Sequence, residues 1–194
     1  MRCRLLASSL VAKRRVLLTE SALSMLKIIG TFTLAAVAFG LVHDQVTARV
    51  CIEYFTIGHD RIVPWTSTTA IGLFWGVAAT WWAGAVAGIV VTLAAREGPW
   101  PKLTWRRLVR PAAWLAVIMG LSALLAGAAG YVLTTRGLVA IVEGYEDLIP
   151  PERHARFMAD VLAHRASYAV GGLGGIVIAV RAWLERSRLP RPPA

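Results

Sequence analysis

The chain has 194 residues, of which 57% are hydrophobic and 16% charged, and its mean hydropathy is +0.59. That is more apolar surface than a water-soluble domain of this length needs, which excludes a soluble globular fold and points to an all-α integral membrane bundle, whose outward faces are apolar as well. The formal net charge of +10 invites a nucleic-acid reading, but the basic residues alternate between loops and form no single basic face, which excludes nucleic acid as a partner.

Residues 1–21 form a basic segment opening with MRCRLLASSLVAKRR. It lacks a long apolar stretch followed by a small-residue cleavage site, so it does not read as a cleaved signal peptide. It is expected to lie on the inner membrane surface or to be disordered. Residues 22–187 form the transmembrane domain, with apolar spans at 22–42, 69–95, 111–133 and 166–184. A spanning helix needs roughly 20 apolar residues at about 1.5 Å each. All four qualify if Lys27 and Arg181, near two of the ends, snorkel to the headgroups. Residues 188–194 carry three prolines and read as a disordered tail. The stretch from Arg136 to Arg165 is the longest loop region. It is broken by Pro150 and Pro151, and from Glu152 it reads as helical into the fourth span, giving that helix an outer extension.

Orientation follows from the basic residues. Fifteen of the 21 fall on one side, counting Lys27 and Arg181 at the ends of their spans with the residues before the first span, between the second and third, and after the fourth, and only six on the other side. Eight of the 11 acids sort the opposite way. Both termini are therefore expected in the cytoplasm, and the localisation expected is a bacterial plasma (inner) membrane, with the lipid bilayer as the first partner. Cys3 and Cys51 fall on opposite sides in this topology and cannot pair. Trp100, Trp105 and Trp183 mark the inner boundary and Trp65 the outer one. Trp81 and Trp82 lie deeper and read as packing residues.

Small residues recur at a spacing of four: Gly72 and Gly76, Gly84 and Gly88, Ala123 and Gly127, Ala126 and Gly130, Gly171 and Gly175. Such pairs let helix backbones approach closely, so one tight bundle is expected, with a membrane-protein partner or a second copy as further candidates for contact. The span cores offer only Thr31, Thr33, Thr80, Thr92 and Ser122 as polar lining, which disfavours an ion channel or a transporter.

The four histidines, His43, His59, His154 and His164, all fall on the outer side. From Ile28 to Val42 the first span has 15 uncharged residues, or about 22 Å of helix against a hydrocarbon core of about 30 Å. His43 and Asp44 are thus placed at or just below the headgroups, where ionisable residues are costly and tend to be paired or functional. On the fourth helix Asp160, His164 and Tyr168 are spaced by four and share a face. A carboxylate and an imidazole one turn apart can share a metal ion or fix the imidazole tautomer. If the first and fourth helices are neighbours, His43 and Asp44 meet Asp160 and His164, and Glu53 and His59 close the site from the loop. The six residues His43, Asp44, Glu53, His59, Asp160 and His164 are the candidate metal ligands. Their donor set suits zinc, iron or manganese rather than calcium.

Three readings remain open: a satisfied polar network that caps helix ends, a metal site, and haem ligation by His43 and His164. Gln45, Arg49 and Glu53 are spaced for a structural ladder, and Cys51 reads as packing. No nucleophile elbow, phosphate loop, CxxC pair or HExxH motif is present. His43-Asp44-Gln45, Glu53-Tyr54-Phe55-Thr56 and Gly58-His59, followed by His164, Ser167-Tyr168 and Gly171-Gly172, resemble a group of uncharacterised bacterial multi-span membrane proteins with an HDQ…EYFT…GH segment. That resemblance implies a shared outer cluster and brings no activity. The function expected first is a non-enzymatic envelope assembly or interaction factor. The alternatives are a membrane-embedded metalloprotein or metalloenzyme acting at the outer face, and a haem-binding membrane protein.

Overall fold

The computed structural model describes residues 2–59 and 62–191, with side chains from Thr19 onward. Asp60, Arg61, the side chains of Cys3 and of the basic residues of the N-terminal segment, and the last three residues of the tail lie outside what is described. The elements are α1 (Arg2–Val50), α2 (Glu53–Thr56), α3 (Thr68–Ala78), α4 (Trp81–Arg96), α5 (Trp105–Thr135), a 3-10 turn (Pro151–Arg153) and α6 (His154–Ser187). No strand occurs among the described residues. Four helical stretches are long and apolar enough to cross a membrane: Thr19–Val50, Thr68–Arg96, Trp105–Thr135 and Pro151–Ser187. The chain is a multi-pass, all-α membrane bundle, and its fourth helix is extended by three turns before the apolar run. Each helix outruns its apolar core, because flanking polar residues continue the backbone hydrogen bonds that lipid makes obligatory.

The second span is two helices rather than one. Thr80 explains the break. Its hydroxyl donates to the Gly76 carbonyl at 2.6 Å. Its own amide turns to Val77 O at 3.2 Å, and helical bonding resumes with Gly84 N to Thr80 O at 3.0 Å. A threonine hydroxyl that takes the carbonyl four residues back bends a helix in this way.

The glycine spacing of this span has a single purpose. A Cβ on Gly72 would stand 2.8 Å from the Asp44 carbonyl oxygen, and one on Gly76 2.8 Å from the Gly40 backbone. On Gly84 it would meet Phe32 O and on Gly88 the Cα of Ile29, again at 2.8 Å. All four glycines therefore form one row on which α1 lies in backbone contact. Gly130 plays the same part between α5 and α6, with Met158 O 2.8 Å from its missing Cβ. Gly171 meets Met119 of α5 at 3.0 Å and Gly175 meets Ala87 of α4 at 3.6 Å, so both face other helices as expected.

The main packing pairs are α5 with α6, α1 with α3 and α4, α4 with α6, and α1 with α5. The spans therefore close a square in which α1 and α6 stand on a diagonal rather than side by side. Trp81 and Trp82 are 53% and 54% exposed. They face lipid, which corrects their reading as packing residues. The bend at Thr80 and the glycine face toward α1 leave the bulky side of α4 pointing outward.

At the end opposite the histidines, Arg186 is fully buried. It donates to the carbonyls of Ala94 (2.6 Å), Pro101 (2.7 Å), Glu97 (2.9 Å) and Trp100 (3.2 Å). The C-terminal carbonyls of α4 have no helical partner, and this guanidinium supplies one. Arg96, also buried, donates to Leu103 O at 3.2 Å and to the Ser21 hydroxyl at 3.4 Å.

The glycine row makes a specific prediction. Gly76→Leu should lower the stability of the detergent-solubilised protein by about 3 kcal/mol or more, since backbone must move to admit the side chain. Gly30→Leu, where nothing lies within 4 Å, should leave the melting temperature unchanged. Equal behaviour of the two variants in a thermal melt would contradict the helix contact.

Candidate functional site

The site forms where α1 ends against α6. Asp44, against Gly72, is 3% exposed; Asp160, His164 and Ser167 on α6 are 1%, 4% and 0% exposed. The buried stripe of α6 thus runs through Ser167, while Tyr168 is 50% exposed and stands at its edge.

His164 is oriented by its own helix. Its Nδ1 lies 2.8 Å from the Asp160 carbonyl oxygen. A carbonyl only accepts, so Nδ1 carries a proton, and in the neutral ring Nε2 then presents a lone pair. That Nε2 stands 3.3 Å from Asp44 Oδ1. Two lone pairs at this distance repel unless a proton or a cation lies between them. His43 completes the group. Its ring stacks on Phe39 at 5.2 Å and meets His164 edge to face at 4.5 Å, and its Nε2 is buried with no hydrogen-bond partner. One donor atom each from His43, Asp44 and His164 lies within 4.8 Å of the others. Two ligands about 2.1 Å from a tetrahedral ion stand roughly 3.4 Å apart, so the Asp44–His164 edge, at 3.3 Å, already has the required separation.

The other three expected ligands are placed differently. Asp160 contributes its carbonyl to His164, while its buried Oδ2 makes no hydrogen bond. Glu53 is held by Arg153, with Nε to Oε1 at 3.1 Å and Nη2 to Oε2 at 2.8 Å, and it accepts from the Cys51 thiol at 3.2 Å. His59 Nδ1 bonds the Tyr54 carbonyl at 2.8 Å, and its ring packs on Tyr54 and Trp75. Segment 53–59 does fold back over the bundle end, but it sets Tyr54 on the site instead of Glu53. The Tyr54 ring stacks on His164 at 4.3 Å with 26° between the planes, so it roofs the imidazole. The ladder expected from Gln45 through Arg49 to Glu53 stops at Arg49, which donates to Gln45 Oε1 at 2.8 Å and to the Thr69 hydroxyl at 3.0 Å.

The loop chemistry outside the spans follows from these contacts. Burial is the largest single influence and would raise the Glu53 carboxyl, but the hydrogen bonds from Arg153, from its own backbone amide and from the Cys51 thiol, with the Arg153 charge, together outweigh it and hold the group below its ordinary 4.5. Burial, then the hydrogen bond and charge of Glu53, push the Cys51 thiol up to about 12. Cys51 is therefore a neutral, packed thiol. Burial likewise pushes the Tyr54 hydroxyl up, so the roof stays uncharged. Tyr54, Phe39 and Arg153 escaped the sequence reading. Arg153 pairs with Glu53 across 100 residues, and no local spacing signals such a contact.

No family model, curated protein or solved structure matches this chain, so no relative lends the site an activity.

The Glu53–Arg153 pair gives a pH prediction. A carboxylate whose folded pKa is depressed stabilises the fold in full above the ordinary value, 4.5 here, and loses that contribution as pH falls through the lowered value. Glu53→Gln should therefore cost about 1 kcal/mol at neutral pH for this part-exposed pair, and the gap to the parent should close in acid. A gap that persists or widens below the carboxylate range in pH-dependent melts would contradict the assignment.

Proposed function

We propose that this chain is a multi-pass plasma-membrane protein that binds one divalent transition-metal ion, zinc, iron or manganese, between His43, Asp44 and His164 at the outer end of the bundle. One observation carries the reading: His43, Asp44 and His164 each bring one donor atom into a group no wider than 4.8 Å, and His43 Nε2 is buried without a hydrogen-bond partner. Two supports lie around it. The His164 tautomer is preset by a backbone carbonyl, the usual outer support of a metal-bound imidazole. A cation also relieves the lone-pair contact between His164 and Asp44. Two imidazoles and one carboxylate leave coordination positions open, as reactive metal sites do. An ion held this way polarises a bound oxygen and lowers the pKa of bound water. Haem fits less well, because the two imidazole rings meet at 4.5 Å and leave no slot for a porphyrin plane.

A second reading, a structural polar network in an envelope assembly or interaction factor, is favoured by one contact. The Asp44–His164 pair can be satisfied by a shared proton without any ion. Elemental analysis of protein purified in mild detergent separates the two. The metal reading expects close to one equivalent per chain, with affinity reduced at least about a hundredfold in Asp44→Ala and in His164→Ala, since even supporting groups are worth 10–100-fold. A folded parent protein that is metal-free and takes up no zinc, iron or manganese would leave the polar network as the account.

The orientation in this proposal rests on the distribution of basic residues. Cysteine substitutions at Lys102 and Asp147 should be labelled from opposite sides of the membrane, Lys102 only from the cytoplasm. Labelling of both from one side would overturn it.

A further inference from the structure

A cavity of about 660 Å³ lies at lipid depth beside the His–Asp site, between α1, α4, α5 and α6. Its volume falls within the range of roughly 300–1,000 Å³ usual for small-molecule sites. Its lining is almost wholly apolar and includes Phe32, Phe39, Trp82, Met119 and Gly172. Three lining residues, Trp82, Val86 and Ile176, are 54%, 54% and 58% exposed. They belong to α4 and α6, so the cavity opens sideways between those helices, within their membrane-crossing stretches. Gly172 keeps this window free, because no atom stands within 4 Å of where its Cβ would be.

The cavity leads toward the site. Phe39 is both a wall of the cavity and the ring stacked on His43 at 5.2 Å. Tyr168 is both a wall and a neighbour of His164, with ring centroids 6.2 Å apart. The same two side chains therefore border an apolar chamber reached from lipid and two of the three proposed metal ligands. With a divalent ion, one carboxylate and two neutral imidazoles, the head of the chamber carries a net positive charge. Water has no reason to fill the chamber, whereas a hydrocarbon chain gains dispersion contacts on every side.

We infer that the site receives a single-chain lipid with an anionic oxygen head, a carboxylate or a phosphate. The tail enters between α4 and α6 and lies in the cavity. The head passes Phe39 and Tyr168 and meets the ion held by His43, Asp44 and His164. The tail half of this inference rests on the cavity alone, and the head half rests on the metal reading above.

The test uses the full chain in phosphatidylcholine vesicles, loaded with Co²⁺ as a visible probe of the metal site. Stearic acid carrying a diazirine on its tail is added and irradiated, and the labelled residues are mapped by mass spectrometry. Labelling is expected to concentrate on Phe39, Met119 and Gly172, several-fold above the outward-facing Leu34 and Leu125, each 71% exposed. Unlabelled stearic acid should shift the Co²⁺ band. Ala116→Trp, which fills the cavity, should abolish the cavity labelling and the shift while the band itself remains. If that variant does not accumulate, Gly172→Leu closes the window instead and is expected to do the same. Equal labelling of Met119 and Leu125, or cavity labelling with an unmoved Co²⁺ band, overturns the inference. Absence of any Co²⁺ band before lipid is added overturns the metal reading instead, and the head half with it, and the cross-links then report on the tail alone.

Discussion

The close approach of α1 to the glycine row of α3 and α4 sets the positions on which the rest of the molecule depends. In lipid there is no hydrophobic gain from bringing two apolar helices together, so contact rests on dispersion between surfaces that fit. Gly72, Gly76, Gly84 and Gly88 clear one face of the second span of side chains apart from Thr80, which stands against Gly40, and the backbone of α1 fills the space. This fixes how far α1 can slide or turn. The depth of His43 and Asp44 follows, because the Asp44 carbonyl is itself one of the surfaces that Gly72 touches. With α1 pinned on one side and α5 carrying α6 on the other, the His-bearing ends of α1 and α6 face each other across the diagonal of the bundle.

The two ends of the bundle treat buried polarity differently. Burying a charge or a polar group is costly unless its hydrogen bonds are met. At one end Arg186 spends its donors on four backbone carbonyls, although the Nε of the neighbouring Arg96 has no partner. At the other end Asp44, Asp160 and His164 are as deeply buried, yet His43 Nε2 and Asp160 Oδ2 have no partner. Aromatic rings lie against the two imidazoles: Phe39 on His43, Tyr54 and Phe55 on His164.

Much of the fold was legible in the sequence because the signals are long-range averages. Four apolar stretches of membrane length give four spans, and glycines spaced by four give helix contacts. His43 and His164 were placed together by one physical argument, that each ends or begins a span at the same depth. That argument holds although the helices proved diagonal rather than adjacent. What escaped the reading depends on single side chains. Whether the Thr80 hydroxyl returns to Gly76 is a local rotamer choice that hydropathy does not record. Segment 53–56 is a single turn, too short for any periodicity to tell which of Glu53 and Tyr54 faces the bundle. Glu53 is drawn off by Arg153, a partner distant in sequence. Arg186 counted as one more basic residue of a positively charged end, and nothing in its neighbours marks it as the one that turns inward.

Arg186 also bears on the order in which the molecule is completed. Its acceptors, Ala94, Glu97, Trp100 and Pro101, belong to the end of the second span and the turn after it. They enter the membrane long before residue 186 leaves the ribosome. Until then the turn after the second span lacks the donor that joins its carbonyls. The final turn of the last helix arrives as a bolt that reaches back almost half the length of the chain. A chain whose last helix is missing or misplaced leaves these four carbonyls without that donor.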